Sequence, residues 1–470
     1  MNLKRRLLNA VLAVRIQRAF GKLGRSQALR LMRVATRLRP QWAKNGNVTL
    51  VMGMIEQNHP FFQWAMGLKQ DLHPRVFSRF IGNIIFSSFM ADRGQGDYEK
   101  KYGTPPLSNL LFSVTERCNL KCDGCWAAEY DKSEDLSIAL MDRVIRELKE
   151  MRANIVTLTG GEPFLRADVF DLFRMHPDVY FQVFTNGTLI SENVADRIRE
   201  AANVAPLISL NGFEEANDAT RGRGNFVAVE SAFNILKDRG VLFGVSLTAT
   251  SRNVDTLMDP AFYDFLIAKG AKIGWVFQYM PVGRAPNLDL MVPPEKRREL
   301  GQFIYKLRNS RPFFIVDFWN DGPVVGGCMA GARHYLHITN TGDVEPCVFC
   351  HFAVDNIKDK SLHEVIRSPF FMDIKKGIPY DGNVLRPCMM VDRPEVFRSH
   401  YLRHLPHPTH PGAESLVTEL STGLDERAKA MRPIMDRVWN EKEFAGLYTF
   451  DPRWYNALPS PDAQHRAQPR

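Results

Sequence analysis

From about residue 106 onward, short runs rich in Val, Ile, Leu or Phe alternate with stretches of helical periodicity, and that alternation leaves few architectures open. The strand candidates are 109–115, 154–159, 179–184, 206–210, 241–249 and 273–279, each bounded by turn residues. Between them apolar residues recur at helical spacing, as in Leu140, Val144, Leu148 and Met151, or Val227, Ala232, Ile235 and Leu236. Parallel strands joined through helices need right-handed crossovers, so six such units predict an α/β fold on a parallel sheet. A chain of 470 residues with 45% hydrophobic residues can bury a large core and is too long for one typical domain.

The first predicted strand runs into Thr115-Glu116-Arg117-Cys118-Asn119-Leu120-Lys121-Cys122-Asp123-Gly124-Cys125-Trp126, a C-x3-C-x2-C spacing. Three thiolates on one short loop can ligate an iron–sulfur cube and leave one iron without a protein ligand, open to a small molecule. A zinc knuckle is the competing reading, but three close cysteines without a nearby fourth ligand make a poor closed zinc site. The second strand candidate ends in Gly160-Gly161-Glu162-Pro163. Two glycines there let backbone approach a ligand, and the carboxylate and carbonyls suit an ammonium group, although alone the segment is an ordinary strand-to-loop turn.

Together these motifs resemble the radical S-adenosylmethionine (radical SAM) superfamily, whose signature is this cysteine spacing followed by an aromatic residue, here Trp126. The resemblance implies a partial (β/α)6 TIM-like barrel with ligands at the C-terminal strand ends. It implies a SAM-binding [4Fe-4S] cluster on Cys118, Cys122 and Cys125, with Gly160, Gly161, Glu162 and Pro163 at the methionyl amine. Asn186, Ser209 and Asn211 would contact the ribose or methionyl part, and the backbone near Trp126 the adenine. The implied chemistry is reductive cleavage of SAM to a 5′-deoxyadenosyl radical that takes hydrogen from a substrate carbon. Thr220-Arg221-Gly222-Arg223-Gly224-Asn225-Phe226 reads as a structural loop and helix cap, and no catalytic side chain is assigned.

The remaining cysteines, Cys328, Cys347, Cys350 and Cys388, resemble the SPASM/twitch extension of that superfamily, including Gly342 to Cys347 and Asp355-Asn356-Ile357. Four thiolates would hold an auxiliary [4Fe-4S] cluster; a four-thiolate zinc site is the alternative, and Cys350 is the weakest of the four assignments. The expected organisation is a basic helical region over 1–105, the core barrel over 106–320, the auxiliary domain over 321–395, and a linker with a helical tail over 396–470. In that last segment His400, His404, His407 and His410 look metal-binding, but Pro406, Pro408 and Pro411 break a shared helical face after His404, which favours a linker.

Residues 1 to 55 hold twelve Lys or Arg and no acidic residue, so the rest of the chain nets about −3. Leu8, Leu12, Ile16, Phe20 and Leu23 fall on one helical face and Arg15, Arg18, Lys22 and Arg25 on another. Ala28, Leu31, Met32, Ala35 and Leu38 repeat the pattern against Arg30, Arg33 and Arg37. An anionic membrane surface and a helical cap packed on the enzyme both fit. Nucleic acid is disfavoured, with only Phe20 and Trp42 to stack on bases. Residues 77–90 read as a buried or interfacial helix, too short to span a bilayer. With no transmembrane window and no signal peptide, the expectation is a cytoplasmic protein, peripheral at the inner membrane face, reduced by a flavodoxin or ferredoxin. These features lean the substrate toward a membrane lipid, with peptide or small-molecule modification as the alternative. A non-enzymatic, membrane-docked electron-transfer protein would not need an open iron or Gly160-Gly161-Glu162-Pro163.

Overall fold

The structure is a computed structural model, described over residues 24–38, 46–84 and 95–444. Seven strands, β1 (Asn109–Thr115), β2 (Ile155–Gly160), β3 (Tyr180–Thr185), β4 (Val204–Leu210), β5 (Gly244–Ala249), β6 (Ile273–Gln278) and β7 (Phe314–Asp317), lie side by side in chain order, each parallel to the next. The first six match the sequence expectation closely. The seventh extends the partial barrel by four residues.

Helices cover the outer face, and their starts follow from local chemistry. Ser137 and Ser191 accept hydrogen bonds from Leu140 N and Val194 N, and Asp259 precedes Pro260 at a first helical position. Met141, Val144, Ile145 and Leu148 of the Ile138–Glu150 helix are buried against the sheet. In the Asn225–Asp238 helix the buried stripe is Phe226, Val229, Ala232, Phe233 and Leu236; of the expected face Ala232 and Leu236 lie in it and Ile235 packs at its edge, while Val227 is 58% exposed. Because strand side chains alternate, Phe112, Leu158, Val183 and Leu247 enter this outer core, whereas Leu111, Thr157, Phe184, Ser246 and Phe277 face the barrel lumen.

Beyond the other edge of β1, β8 (His337–Ile338) pairs parallel to it and carries the antiparallel β9 (Asp343–Glu345); the two-residue β10 (Phe352–Ala353) follows, and β11 (Asp355–Asn356) returns antiparallel to β9. This places the auxiliary region beside the barrel mouth.

The N-terminal helices Pro60–Asp71 and Pro74–Phe80 press Trp64, Leu68, Val76, Phe77, Phe80 and Ile81 onto Tyr180, Ala205, Leu207, Leu242 and Ile273 near the starts of the strands. Trp64 Nε1 also donates to the Lys272 carbonyl at 2.8 Å. Each such apolar side chain contributes roughly 1.5–3 kcal/mol, so this floor is a structural plug. Of the expected 77–90 helix, 77–84 is accordingly buried on the enzyme; 85–94 lies outside the described residues. The helix Arg25–Leu38 likewise turns Ala28, Leu29 and Met32 toward Ile55, Phe62 and Met66, and Arg33 pairs with Glu56, the cap arrangement. The first basic helix lies outside the described residues. Among those described, no helix is long and apolar enough to cross a membrane.

Beyond residue 396 the expected helical tail, read over 419–439, is present as Ser421–Asn440, whereas the stretch expected as a linker is folded. A helix spans Pro394–His404, the strand β12 (His407–Pro408) pairs antiparallel with β10, and a helix over Ser421–Asn440 buries Leu424, Met431, Met435 and Val438. The prolines stop one helix and place a short strand without unfolding the segment, because the apolar residues beyond them still find a core.

Candidate active site

The loop after β1 is clamped from three sides. Gly161 N donates to Thr115 O (2.7 Å) and Glu162 N to Arg117 O (2.9 Å), tying it to the end of β2. Asp123 N reaches Thr220 O (3.0 Å), and Arg284 donates from its backbone N to Cys125 O (3.0 Å) and from Nη1 to Cys122 O (2.9 Å). At Gly161 an added Cβ would stand 2.2 Å from Arg117 O, so the approach of the two loops requires glycine. Gly283, at φ +77°, meets the Cys125 and Trp126 carbonyls as closely, which explains the Gly after β6.

So held, Cys118, Cys122 and Cys125 line one end of a cavity of about 690 Å³ that runs into the lumen. Leu120 N (3.4 Å) and Asn186 Nδ2 (3.8 Å) point at Cys118 Sγ. Burial pushes the Cys125 thiol up to about 11, with the neighbouring thiols adding to it. Burial also lowers Arg221, while the charges of Cys122, Cys125 and Cys118 act on it in the opposite sense. Three convergent thiols, N–H donors aimed at sulfur and one cation suit a thiolate-ligated cluster with net negative charge.

Of the residues expected at SAM, Trp126, Gly160, Gly161, Asn186, Ser209 and Asn211 all line this cavity. Asn186 also donates to Asn119 Oδ1 at 2.8 Å. Glu162 and Pro163 stand apart from it. The Glu162 carboxylate is fully buried and accepts from Phe164 N (3.1 Å), Thr185 Oγ1 (2.8 Å) and Asn186 N (2.8 Å). It therefore ties β2 to the Asn186 turn, and a ligand amine has only the glycine backbone of this segment to meet. Arg221, read as part of a structural loop, is in the cavity wall and donates from Nε to Asn211 Oδ1 at 2.6 Å. Its place in the chain, ten residues past Asn211 at the end of the Glu214–Arg221 helix, gave no signal of that.

The second cysteine set lies across a thin wall. Cys328, Cys347 and Cys388 surround a cavity of about 40 Å³ together with Tyr380, Met389 and Met390. Met280, Phe318, Met329 and Phe349 line both cavities. Tyr335 Oη stands 3.1 Å from Cys347 Sγ and its ring faces the larger cavity. Burial pushes the Cys347 thiol up to about 12, and Cys328, Cys350 and Cys388 are raised by the same cause. Four desolvated thiols within electrostatic reach of one another suit a metal that stabilises them as thiolates. Cys350 is buried beside Cys347, with its N donating to Cys347 O (2.9 Å), but it does not line the small cavity.

An open, cysteine-ligated site at the C-terminal ends of a partial α/β barrel, with a second thiol cluster beside it, defines an iron–sulfur enzyme that works on a ligand in the barrel mouth. The sequence profile of the Radical SAM superfamily matches residues 112–255, and that of the SPASM iron-sulfur cluster-binding domain matches 328–390. An AdoMet-dependent heme synthase of Oleidesulfovibrio alaskensis is 27% identical over 312 residues, 60% of this chain and 80% of that protein. The mycofactocin maturase MftC of Mycolicibacterium smegmatis is 30% identical over 258 residues, 51% of this chain and 64% of that protein. The fold is similar to Streptococcus suis SuiB bound to S-adenosylmethionine, with a TM-score of 0.52 and 18% identity over 60% of this chain and 71% of that one. The chain belongs to the radical SAM superfamily and carries a C-terminal SPASM iron-sulfur domain. Its cofactors are a [4Fe-4S] cluster with SAM and an auxiliary iron–sulfur centre.

Proposed function

We propose that this radical SAM/SPASM enzyme carries out an oxidative change on a small organic molecule whose reacting carbon enters the barrel mouth. The cluster on Cys118, Cys122 and Cys125, with SAM, supplies one-electron chemistry able to remove hydrogen from an unactivated carbon. The wall of Met280, Phe318, Met329 and Phe349 carries the reading: a substrate in the large cavity is one side-chain layer from the auxiliary thiols, where an electron leaving the substrate can be received. The names of the heme synthases among the relatives support a small, largely apolar substrate over a lipid, and so do Trp126, Phe184, Trp275 and Phe277 in the lumen.

The chain's own residues position and exclude. Gly160 and Gly161 admit a ligand against bare backbone, while Asn186 and Asn211 fix polar groups at the rim. Arg252, exposed at the cavity edge, offers a cation to an anionic substituent. The aromatic lumen and the Trp64 plug keep water from the reacting carbon. Reducing equivalents come from a flavodoxin- or ferredoxin-type donor.

The test is anaerobic turnover with dithionite and SAM in the presence of either an iron porphyrin carboxylate or a short peptide, following 5′-deoxyadenosine and the product mass. The expected result is 5′-deoxyadenosine formation that rises with the porphyrin and disappears in the Cys118/Cys122/Cys125→Ala variant. A rise with the peptide alone would replace the small-molecule reading. Nucleoside formation by the triple variant would overturn the cluster assignment.

A further inference from the structure

Away from both cysteine sets, three side chains of other chemistry converge. The helices Pro369–Gly377 and Pro394–His404 pack side by side, and His400 and His404 stand one turn apart on the second. Both aim at the same carboxylate oxygen of the first helix: Asp373 Oδ2 is 3.0 Å from His400 Nδ1 and 2.9 Å from His404 Nε2. The three donor atoms all lie within 4.8 Å of one another. His400 is buried, His404 and Asp373 are half-buried, and Phe370 packs against the His404 ring at 5.5 Å.

We infer that Asp373, His400 and His404 form a binding site for a divalent transition-metal ion, zinc above all, independent of the iron–sulfur ligands. Two imidazoles and a carboxylate are the donor set of three-ligand zinc sites, and zinc bonds of about 2.0–2.2 Å bring such donors to separations near those already present. The backbone therefore need not move. Burial lowers His400, keeping its imidazole in the neutral form that binds metal.

One competitor is visible. Arg403 Nη1 donates to the same Oδ2. Its side chain is 57% exposed, and an exposed ion pair of this kind is weak and yields to an ion that binds all three donors at once. An Arg–Asp pair alone would need neither histidine. The ion would fasten the two helices across the domain whose Ile374 lines the auxiliary thiol cavity.

The experiment uses the anaerobically purified holoenzyme, passed over a chelating resin and then titrated with Zn²⁺, with Co²⁺ as a visible-absorbing substitute. One zinc per chain is expected in addition to the iron. It should be lost in His404→Gln and in Asp373→Asn, with iron content and cluster absorbance unchanged, and retained in the Cys118/Cys122/Cys125→Ala variant. His404 is the last residue of its helix, and His404→Gln keeps a polar side chain of similar length there, so the fold is kept while one ligand is removed. Absence of zinc uptake by the wild type, or uptake by His404→Gln equal to wild type, overturns the site. Zinc displaced by iron loading and unaffected by His404→Gln would assign the metal to the cysteines instead, which also overturns it.

Discussion

The Cys388 loop is held by a buried ion pair that lends itself to a quantitative test. Arg297, on the Pro294–Ser310 helix, and Asp392 each have 1% of their side chains exposed and meet through Nη1 and Oδ1, with Nη2 to Oδ2 at 3.4 Å. Arg297 Nη2 also donates to Leu385 O at 2.7 Å, and Asp392 Oδ2 accepts from Cys388 N at 3.0 Å. Arg297→Met keeps the stem's volume but leaves the Asp392 charge with one backbone donor, and breaking a buried pair in this way costs about 3–5 kcal/mol. Both variants orphan the Leu385 carbonyl; in Arg297→Met/Asp392→Leu the stranded charge is gone, and the penalty added in its place is the orphaned Cys388 N–H, roughly 1–3 kcal/mol. Urea unfolding under anaerobic conditions should therefore place the double variant between the single variant and the wild type. Since Asp392 orients the Cys388 backbone, the single variant should also lose auxiliary iron while keeping the iron on Cys118, Cys122 and Cys125. A single variant within 1 kcal/mol of wild type, or a double variant no more stable than the single, would refute the claim that this pair anchors the loop.

Three further outcomes follow from particular contacts. Tyr335→Phe removes the hydroxyl 3.1 Å from Cys347 Sγ, and because hydrogen bonds to cluster sulfur favour the reduced state, the auxiliary centre's midpoint in an EPR-monitored titration should move to lower potential with iron content unchanged. An unmoved midpoint would remove Tyr335 from any role in electron transfer. Gly161→Ala sets a Cβ 2.2 Å from Arg117 O, so SAM cleavage and radical-cluster iron should both fall at least tenfold by iron assay and 5′-deoxyadenosine yield, and normal values would show that the loops separate easily. Burial pushes Lys375 down to about 8, so between about pH 8 and 10.4 the unfolded chain holds the proton that the folded chain has shed, and stability rises with pH across that window. Allowing for its partial exposure, the rise is of order 1–2 kcal/mol, and Lys375→Met should flatten it; parallel wild-type and variant curves would contradict the burial argument.

What the sequence discloses divides by distance along the chain. β1 to β6 are legible because apolar β-branched runs bounded by turns recur at βα spacing, and the cysteines are legible because cluster ligands must fall close together on one loop. β7 escapes because four residues offer too few alternations to stand out from the loop around Phe313 and Phe318. Whatever depends on which surface packs against which is hidden. Composition alone shows the basic residues of Arg25–Leu38, yet only the partner residues Ile55 and Phe62 reveal that Ala28 and Met32 are covered. Glu162 shows the same limit at the site. The residue type suits an ammonium ligand, but a carboxylate offered Thr185 Oγ1 and two backbone N–H groups in a dry interior satisfies itself there, and the orientation follows from β3 lying next to β2. The histidines make the point most directly. His400 and His404 are visible as a one-turn pair, but Asp373 lies 27 residues before His400, and only the packing of two helices decides that its carboxylate completes the set and that His407 and His410 do not join it.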